Sequence, residues 1–224
     1  MWNAKHNNSS NILATPQRDT KQKRKANRLR IFTCNFQSIW NKKAELENTL
    51  ATNNIDILIS SETYLACNIG DSEVIPPAYQ VFQQDRKDGY GGVIILSKKE
   101  LIVQEVRGTD KSDIISIKIE TFQNPVIVSA CYRPAGSTAA TNENLIKNID
   151  SICKKYSSTP IWICGDFNLP DVQWDNAVIE GCQNTKFLND QFLEAFDKNK
   201  LTQMVDFPTR KQTNKQTNAG PVTH

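Results

Sequence analysis

The stretch Pro160-Ile161-Trp162-Ile163-Cys164-Gly165-Asp166-Phe167-Asn168 decides the fold of this chain. Its apolar half predicts a buried strand, and its polar half places a carboxylate and a carboxamide at the C-terminal end of that strand. Open α/β proteins carry their binding and catalytic groups at such strand ends. Asp166 and Asn168 together suit a hard divalent cation, or a water beside a phosphate. A Gly-Asp pair after a strand is also a common turn, so these residues alone leave both interpretations open.

Outward from this stretch, the hydrophobic pattern predicts alternating strands and helices. It opens with a β-α-β unit, continues with short, closely spaced strands that imply hairpins, and returns to helix before Asp166. An α/β protein with two stacked sheets flanked by helices is therefore expected. The predicted strands cover 29–34, 55–60, 79–84, 92–97, 101–106, 114–120 and 126–132; the predicted helices cover 42–53, 142–156 with Thr141 as N-cap, and 186–198.

The chain of 224 residues is long enough for one domain with tails. Residues 1–28 are rich in Lys and Arg and lack apolar periodicity, which predicts a disordered basic arm. The segment up to Arg30 holds eight basic residues and one acid, so the rest of the chain has 19 basic against 23 acidic residues and a formal charge of −4. The domain is expected over 29–210. Residues 211–224 begin with a doubled Lys-Gln-Thr-Asn and predict an unstructured tail.

The composition also indicates a compartment and limits the cofactors. No apolar run is long enough to cross a bilayer and the N-terminus has no signal-peptide core, so we expect an intracellular protein without membrane contact. The arm either steers the chain toward nucleic acid or serves as a nuclear address, and the alternative is a solvated tail or an upstream coding remnant. The six cysteines form no CxxC pair and the only histidines are His6 and His224, which argues against a zinc site. Cys34, Cys131 and Cys164 lie in strand-like runs and suit reduced core thiols.

Polar residues follow four of the apolar runs. If the strands lie in register, their ends meet, and the grouped side chains resemble a metal-assisted phosphodiester site. Each residue also has an ordinary interpretation: Glu62 as a solvated strand-end charge, Tyr132 as an amphipathic strand residue, Asn35 as a turn former. The residues in question are Asn35, Gln37, Glu62, Tyr132, Arg133, Asp166 and Asn168.

Several short segments of the sequence together resemble a known family. The segments that carry the resemblance are Asn35-Phe36-Gln37-Ser38-Ile39 with Lys42 and Glu45-Leu46, Asp56-Ile57-Leu58, Ser61-Glu62-Thr63-Tyr64-Leu65, Gly91-Gly92-Val93, Tyr132-Arg133-Pro134, Gly165-Asp166-Phe167-Asn168 with Pro170 and Trp174, and Phe207-Pro208-Thr209-Arg210. In this order and spacing they are similar to the endonuclease domain of non-LTR (LINE-type) retrotransposons. That domain belongs to the endonuclease/exonuclease/phosphatase superfamily, typified by DNase I and apurinic endonucleases.

The resemblance implies a four-layer α/β/β/α sandwich of two mixed sheets and a monomer that cleaves DNA with Mg²⁺, or with Mn²⁺ in its place, and with no small-molecule cofactor. It makes Glu62 the main metal ligand, with Asn35 at the metal and phosphate and Gln37 where many relatives have a second acid. Tyr132 would contact the scissile phosphate. Asp166 would align or deprotonate the attacking water, and Asn168 would hold the phosphate or the leaving oxygen.

One departure from the family pattern affects the expected activity. Relatives continue beyond the Pro-Thr-Arg segment with an acidic strand and a Ser-Asp-His segment, which this sequence lacks, and no Tyr-Ala-Asp-Asp of a polymerase occurs. We therefore expect a sandwich incomplete at its C-terminus and an impaired endonuclease. Two alternatives stay open: a non-catalytic remnant that at most binds nucleic acid, and a phosphatase of the same superfamily that acts on small phosphoesters.

Overall fold

The computed structural model describes residues 23–65, 70–86, 89–106, 112–169, 171–173, 178–179 and 183–205. Helices and strands alternate at first, and hairpin-connected strands follow, as predicted. The described strands are β1 Ile31–Asn35, β2 Ile57–Ser61, β3 Tyr79–Gln84, β4 Val93–Lys98, β5 Val103–Val106, β6 Ile114–Ile119, β7 Val126–Tyr132, β8 Ile161–Asp166, β9 Val172–Gln173 and β10 Val178–Ile179. The described helices are α1 Lys43–Thr52, α2 Asp71–Val74, α3 Ala139–Lys155 and α4 Gln183–Lys198.

The strands form two four-stranded mixed sheets. In the first sheet the order is β1-β2-β4-β3, and in the second it is β5-β6-β7-β8. Each sheet has one parallel pair, β1 with β2 and β7 with β8, and antiparallel pairs elsewhere. β9 and β10 form a separate two-stranded ribbon. The parallel pairs matter for function, because both strands of such a pair end at the same edge of the sheet.

Side chains that point alternately to the two faces of each sheet produce four layers. Ile57 and Ile59 of β2 pack in the core between the sheets with Ile117 of β6 and Val128 of β7, because successive side chains of a strand point to opposite faces. Leu58, between the two isoleucines, packs on the other face with Leu46 and Leu50 of α1. On the second sheet, Ile127 and Cys131 face α3 and α4. The predicted α/β/β/α sandwich of two mixed sheets is confirmed.

The predicted strands agree with the structure to within about two residues, but α3 and α4 each begin three residues earlier than expected, α4 at Gln183 instead of Lys186. We expected α3 to begin at Asn142 with Thr141 as N-cap; it begins at Ala139. Thr138 is the cap: its backbone is extended and its Oγ1 accepts a hydrogen bond from the Thr141 backbone N–H at 3.2 Å. The apolar stripe begins only in the second turn, so periodicity placed the boundary too late. α2 and the β9–β10 ribbon were not predicted, since they are too short for a periodic pattern.

The end of the predicted disordered arm is part of the domain. Ala26 is 1% exposed and lies in the core between the sheets. Arg24 forms a bridge with Leu101, and Ala26 forms one with Thr121. We call residues 24–26 the strap, because it joins the β4–β5 connection to the β6–β7 connection. The expectation of disorder is therefore wrong for the strap, whose backbone groups are hydrogen-bonded to both of these connections. The rest of the arm up to residue 22, and the tail at 211–224, lie outside the described residues.

Two further expectations concern cysteines and membranes. Cys34, Cys131, Cys153 and Cys164 are free thiols, and burial raises the pKa of Cys131. Cys67 and Cys182 lie outside the described residues. No helix in the described part of the chain is long and apolar enough to span a membrane.

Candidate active site

The two parallel strand pairs bring the predicted site residues to one edge of the sandwich. Asn35 ends β1 opposite Ser61, and Glu62 is the next residue after Ser61. Tyr132 ends β7 directly opposite Asp166, the last residue of β8. The Asn35 side chain joins the two sheets, because its Nδ2 donates a hydrogen bond to Asp166 Oδ2 at 3.2 Å. Residues 131 positions apart in sequence therefore meet at this edge.

Two donors orient the Asp166 carboxylate. Oδ2 accepts the hydrogen bond from Asn35, and Oδ1 accepts one from the Asn168 backbone N–H at 3.1 Å. The second bond forms because Asn168 turns the chain sharply back, with a φ of 47°. Asn tolerates this left-handed conformation better than most residues. The Gly-Asp-Phe-Asn sequence thus forms a turn that also orients a carboxylate at this edge, so the turn and the predicted site do not exclude each other.

Two phenols surround the Glu62 carboxylate. Tyr64 Oη donates a hydrogen bond to Glu62 Oε2 at 2.9 Å, and this bond raises the pKa of Tyr64. Burial, followed by the charge of Glu62 and a hydrogen bond to it, raises the pKa of Tyr132 well above its usual range. The Asp166 charge adds to that shift, which places Tyr132 within electrostatic reach of both carboxylates. Both phenols therefore keep their protons at neutral pH and act as donors.

The loop after β1 is held against the segment after β2. Asn35 Oδ1 accepts a hydrogen bond from the Gln37 backbone N–H at 3.0 Å, with Gln37 in the left-handed region at a φ of 47°. Ser38 N–H donates to the Glu62 carbonyl oxygen at 2.8 Å. These bonds place Gln37 next to Glu62 along the edge, with an exposed side chain. The metal-ligand roles of Asn35, Gln37 and Glu62 stay predictions.

Asn168 and Arg133 clamp each other. Asn168 Nδ2 donates to the Arg133 carbonyl oxygen at 2.8 Å, and Arg133 Nη1 donates to the Asn168 carbonyl oxygen at 2.6 Å. The Arg133 guanidinium is buried: its Nε donates to Asn142 Oδ1 at 2.9 Å and it lies 5.5 Å from the Phe192 ring centre. Burial lowers the pKa of Arg133. Arg133 therefore supports the loop from inside, and the Asn168 amide nitrogen is engaged in this clamp.

Two features of the edge escaped the sequence reasoning, although both lie in segments that carry the resemblance. Tyr64, which donates to Glu62, belongs to the Ser-Glu-Thr-Tyr segment, but the sequence pattern assigned it no role. Gly91 allows close contact: a Cβ there would lie 3.1 Å from Tyr132 Cε1, and its φ of +87° suits glycine. The neighbouring Tyr90 is 72% exposed and packs edge-on against Tyr64, with the ring centres 5.8 Å apart.

The oxygen donors at this edge fit a magnesium ion. Mg²⁺ retains several waters and needs only one or two carboxylates. Glu62 offers a carboxylate, and the Asn35 amide oxygen is a hard neutral donor. In the described part of the chain, no group of three or more His, Cys, Asp or Glu side chains is placed to hold a metal.

Comparisons with known proteins agree with this architecture. Residues 126–219 match the family model described as endonuclease-reverse transcriptase. The endonuclease domain of TRAS1, a telomere-specific non-LTR retrotransposon, is similar over 81% of this chain and 76% of its own, with a TM-score of 0.62 and 20% identity.

Two further solved structures share the fold. The 3′ phosphatase NExo from Neisseria, bound to product DNA hairpin, has a TM-score of 0.53 and 17% identity, covering 75% of this chain and 71% of its own. The catalytic domain of Xenopus laevis APE2 has a TM-score of 0.52 and 15% identity over 74% and 67%. No curated protein matches. The chain thus has the DNase I-like α/β fold, and its residues 126–219 match the endonuclease-reverse transcriptase family model, as the sequence motifs indicated.

Proposed function

We propose that this chain is a retrotransposon-type endonuclease domain that hydrolyses phosphodiester bonds of DNA with the help of Mg²⁺. The observation that carries the proposal is the hydrogen bond from Asn35 Nδ2 to Asp166 Oδ2 at 3.2 Å. It couples the ends of the two sheets at the edge where Tyr132 lies within electrostatic reach of both Glu62 and Asp166. A family match over residues 126–219 supports the same reaction class.

Each side chain has a definite part in this proposal. Glu62 and Asn35 would hold the ion, with the neutral Gln37 amide beside them, and Mg²⁺ would neutralise charge on the phosphate. The Asp166 carboxylate, oriented by two donors, accepts a proton from the attacking water. Tyr132 stays protonated and donates to a phosphate oxygen. Asn168 acts through Asp166, because its backbone N–H and its clamp with Arg133 hold the carboxylate in place.

DNA is the proposed substrate because exposed aromatic rings lie beside the edge. Tyr90 is 72% exposed next to Gly91, and Trp40 is 45% exposed next to Ile39, which is bonded to the segment after Glu62. Bases stack on such rings regardless of sequence. A small phosphoester offers no base for this contact. A phosphatase that acts on small phosphoesters is therefore the weaker candidate, and an assay on a simple aryl phosphate distinguishes it.

Nicking of supercoiled plasmid DNA tests the proposal directly. Asp166→Ala should lower the Mg²⁺-dependent rate by about 10²–10⁴, the usual contribution of one acid or base. Asp197→Asn, a change at an exposed aspartate of α4, is the matched control and should nick like the unmodified chain. No histidine is among the described residues, so proton transfer in the described site falls to Asp166 and we expect a slow parent rate. A parent chain no faster than Asp166→Ala would favour the non-catalytic remnant.

Metal binding is tested separately from activity. Mg²⁺ should raise the melting temperature of the chain, and Glu62→Gln should abolish that rise, because the ion needs anionic oxygen and Gln37 provides no charge. Asp197→Asn again serves as control and should keep the rise. If Glu62→Gln responds to Mg²⁺ as the unmodified chain does, the ion binds elsewhere and the proposed ligand set is wrong.

A further inference from the structure

A second charged site lies at the end of the sandwich opposite the candidate active site. A pocket of about 340 Å³ opens there, lined by Arg24, Arg28, Arg30, Lys98, Asp56 and Glu100 together with two asparagines. Arg30 precedes β1, Asp56 precedes β2, and Lys98 ends the antiparallel β4, so these residues mark the edge where β1 and β2 begin. Five residues of β1 span roughly 17 Å, so this pocket and the Asn35–Asp166 edge are separate places.

The charges in the pocket do not cancel. Glu100 pairs with Arg24 at 2.8 Å, and Asp56 pairs with Lys98 at 2.9 Å. Asp56 also accepts a hydrogen bond from the Arg30 backbone N–H at 2.9 Å. Both carboxylates are thus occupied, and among the described residues the structure gives no ion pair to the Arg28 or Arg30 side chain. Two guanidinium groups remain for an incoming anion.

The backbone on either side of Arg28 is anchored. Arg24 N–H donates to the Glu100 carbonyl oxygen at 2.7 Å, and Ile102 N–H donates to the Arg24 carbonyl oxygen at 3.2 Å. Ala26 N–H is bonded to the Glu120 carbonyl oxygen at 3.0 Å. Arg30 is held on its other side, since its carbonyl oxygen accepts from Asp56 N–H at 2.9 Å. An anion therefore meets cations on a fixed frame, and less ordering entropy opposes its binding.

We propose that this pocket binds phosphate groups of a nucleic acid backbone, as a second contact distinct from the candidate active site. A guanidinium fork matches the paired oxygens of a phosphate. A polymer is favoured over a single anion because the cations continue outside the pocket: residues 23–30 contain five basic residues and no acid. Lys23 and Lys25 flank Arg24 and are exposed. A chain of regularly spaced phosphates meets such a row of charges better than one small ion does.

Binding of a fluorescent DNA duplex, measured by anisotropy without divalent metal, tests this site apart from cleavage. The double variant Arg28→Gln with Arg30→Gln should weaken binding about tenfold or more. The plot of log K against log salt, from about 50 to about 200 mM NaCl, should become shallower by up to about 1.8, which is about 0.9 for each phosphate that the variant no longer neutralises. Arg28→Gln alone, at an exposed side chain, should show about half of this change and guards against misfolding of the double variant.

The matched control removes the same charge elsewhere. Lys147→Gln with Lys186→Gln changes exposed lysines on α3 and α4, and its salt slope should stay that of the unmodified chain. Equal slopes in the two double variants would show that only net charge matters and would overturn the proposal. Polyglutamate, added so that its concentration of negative charges equals that of the duplex, should not displace the DNA. Displacement by polyglutamate would assign the pocket to acidic proteins instead and would also overturn it.

Discussion

At the scale of single residues, Gly165 determines where the Asp166 carboxylate lies. Its φ is +143°, and a Cβ on it would lie 1.8 Å from the Cys131 carbonyl oxygen. The backbone of β8 therefore approaches β7 more closely than a side chain permits, immediately before the opposed pair of Tyr132 and Asp166. The spatial relation between the Asp166 carboxylate and the Tyr132 phenol depends on this absent side chain.

We expect Gly165→Ala to destabilise the fold by about 2–4 kcal/mol, because strained backbone and a steric clash with a carbonyl add together. Gly136→Ala is the matched control. Gly136 also has a positive φ, +72°, but its Cβ would meet nothing within 4 Å, so only about 1 kcal/mol is expected. Urea unfolding midpoints of the two variants measure the difference, and equal losses would contradict the steric explanation.

At the scale of elements, the start of α3 sets the position of the Arg133 clamp. Asn142, in the first turns of this helix, is buried and its Oδ1 accepts from Arg133 Nε at 2.9 Å. The first turn must therefore form at the right place for the guanidinium to reach Asn168. The cap that begins it, Thr138, lies three residues before the residue that periodicity indicated.

Thr138→Ala should lower the free energy of unfolding by about 1 kcal/mol, the usual cost of losing an N-cap acceptor. Thr141→Ala should cost clearly less, because the Thr141 hydroxyl makes only an exposed contact with the Thr138 hydroxyl, at 3.0 Å. Chemical denaturation of both single variants gives the comparison. If Thr141→Ala were the more damaging change, the cap would lie where the hydrophobic stripe suggested.

At the scale of the whole molecule, the strap connects the two sheets at the end opposite the candidate active site. Ala26 fills the core between the sheets, while its backbone is bonded to Glu120 and Phe122 of the second sheet's connection. Arg24 is bonded to Glu100 and Ile102, which lie in the connection that follows β4 of the first sheet. The sandwich is thus closed by a segment whose composition resembles a solvated tail.

Two truncations isolate the contribution of the strap. A chain that starts at Arg28 should be less stable than one that starts at Lys23 by about 2–5 kcal/mol, since backbone hydrogen bonds contribute about 0.5–1.5 kcal/mol each and Ala26 leaves the core. Thermal and urea unfolding of the two chains provide the measurement. Identical unfolding midpoints would mean that the strap rests on the domain without stabilising it.

Much of the architecture followed from local pattern. Alternation with a period of two is a property of each strand by itself, so the runs around Ile57, Ile117 and Val128 predicted both the strands and the faces that became buried. The same logic placed Asn35, Glu62, Tyr132 and Asp166 at strand ends. Their catalytic and metal-binding roles stay predictions that the nicking and metal assays test.

Other features depended on the tertiary structure, because they join residues far apart in the chain and no local pattern encodes which partner is chosen. The Asn35–Asp166 bond requires both sheets to pack with their parallel ends aligned. Arg133 turned inward as a support because the helix layer offered it Asn142 and Phe192. The basic strap found partners because the β4–β5 and β6–β7 connections left backbone groups open at the same end of the sandwich. Sequence thus determined which residues reach the edge. Packing decided what each of them contacts, because only the closed sandwich brings residues from both sheets within hydrogen-bond distance.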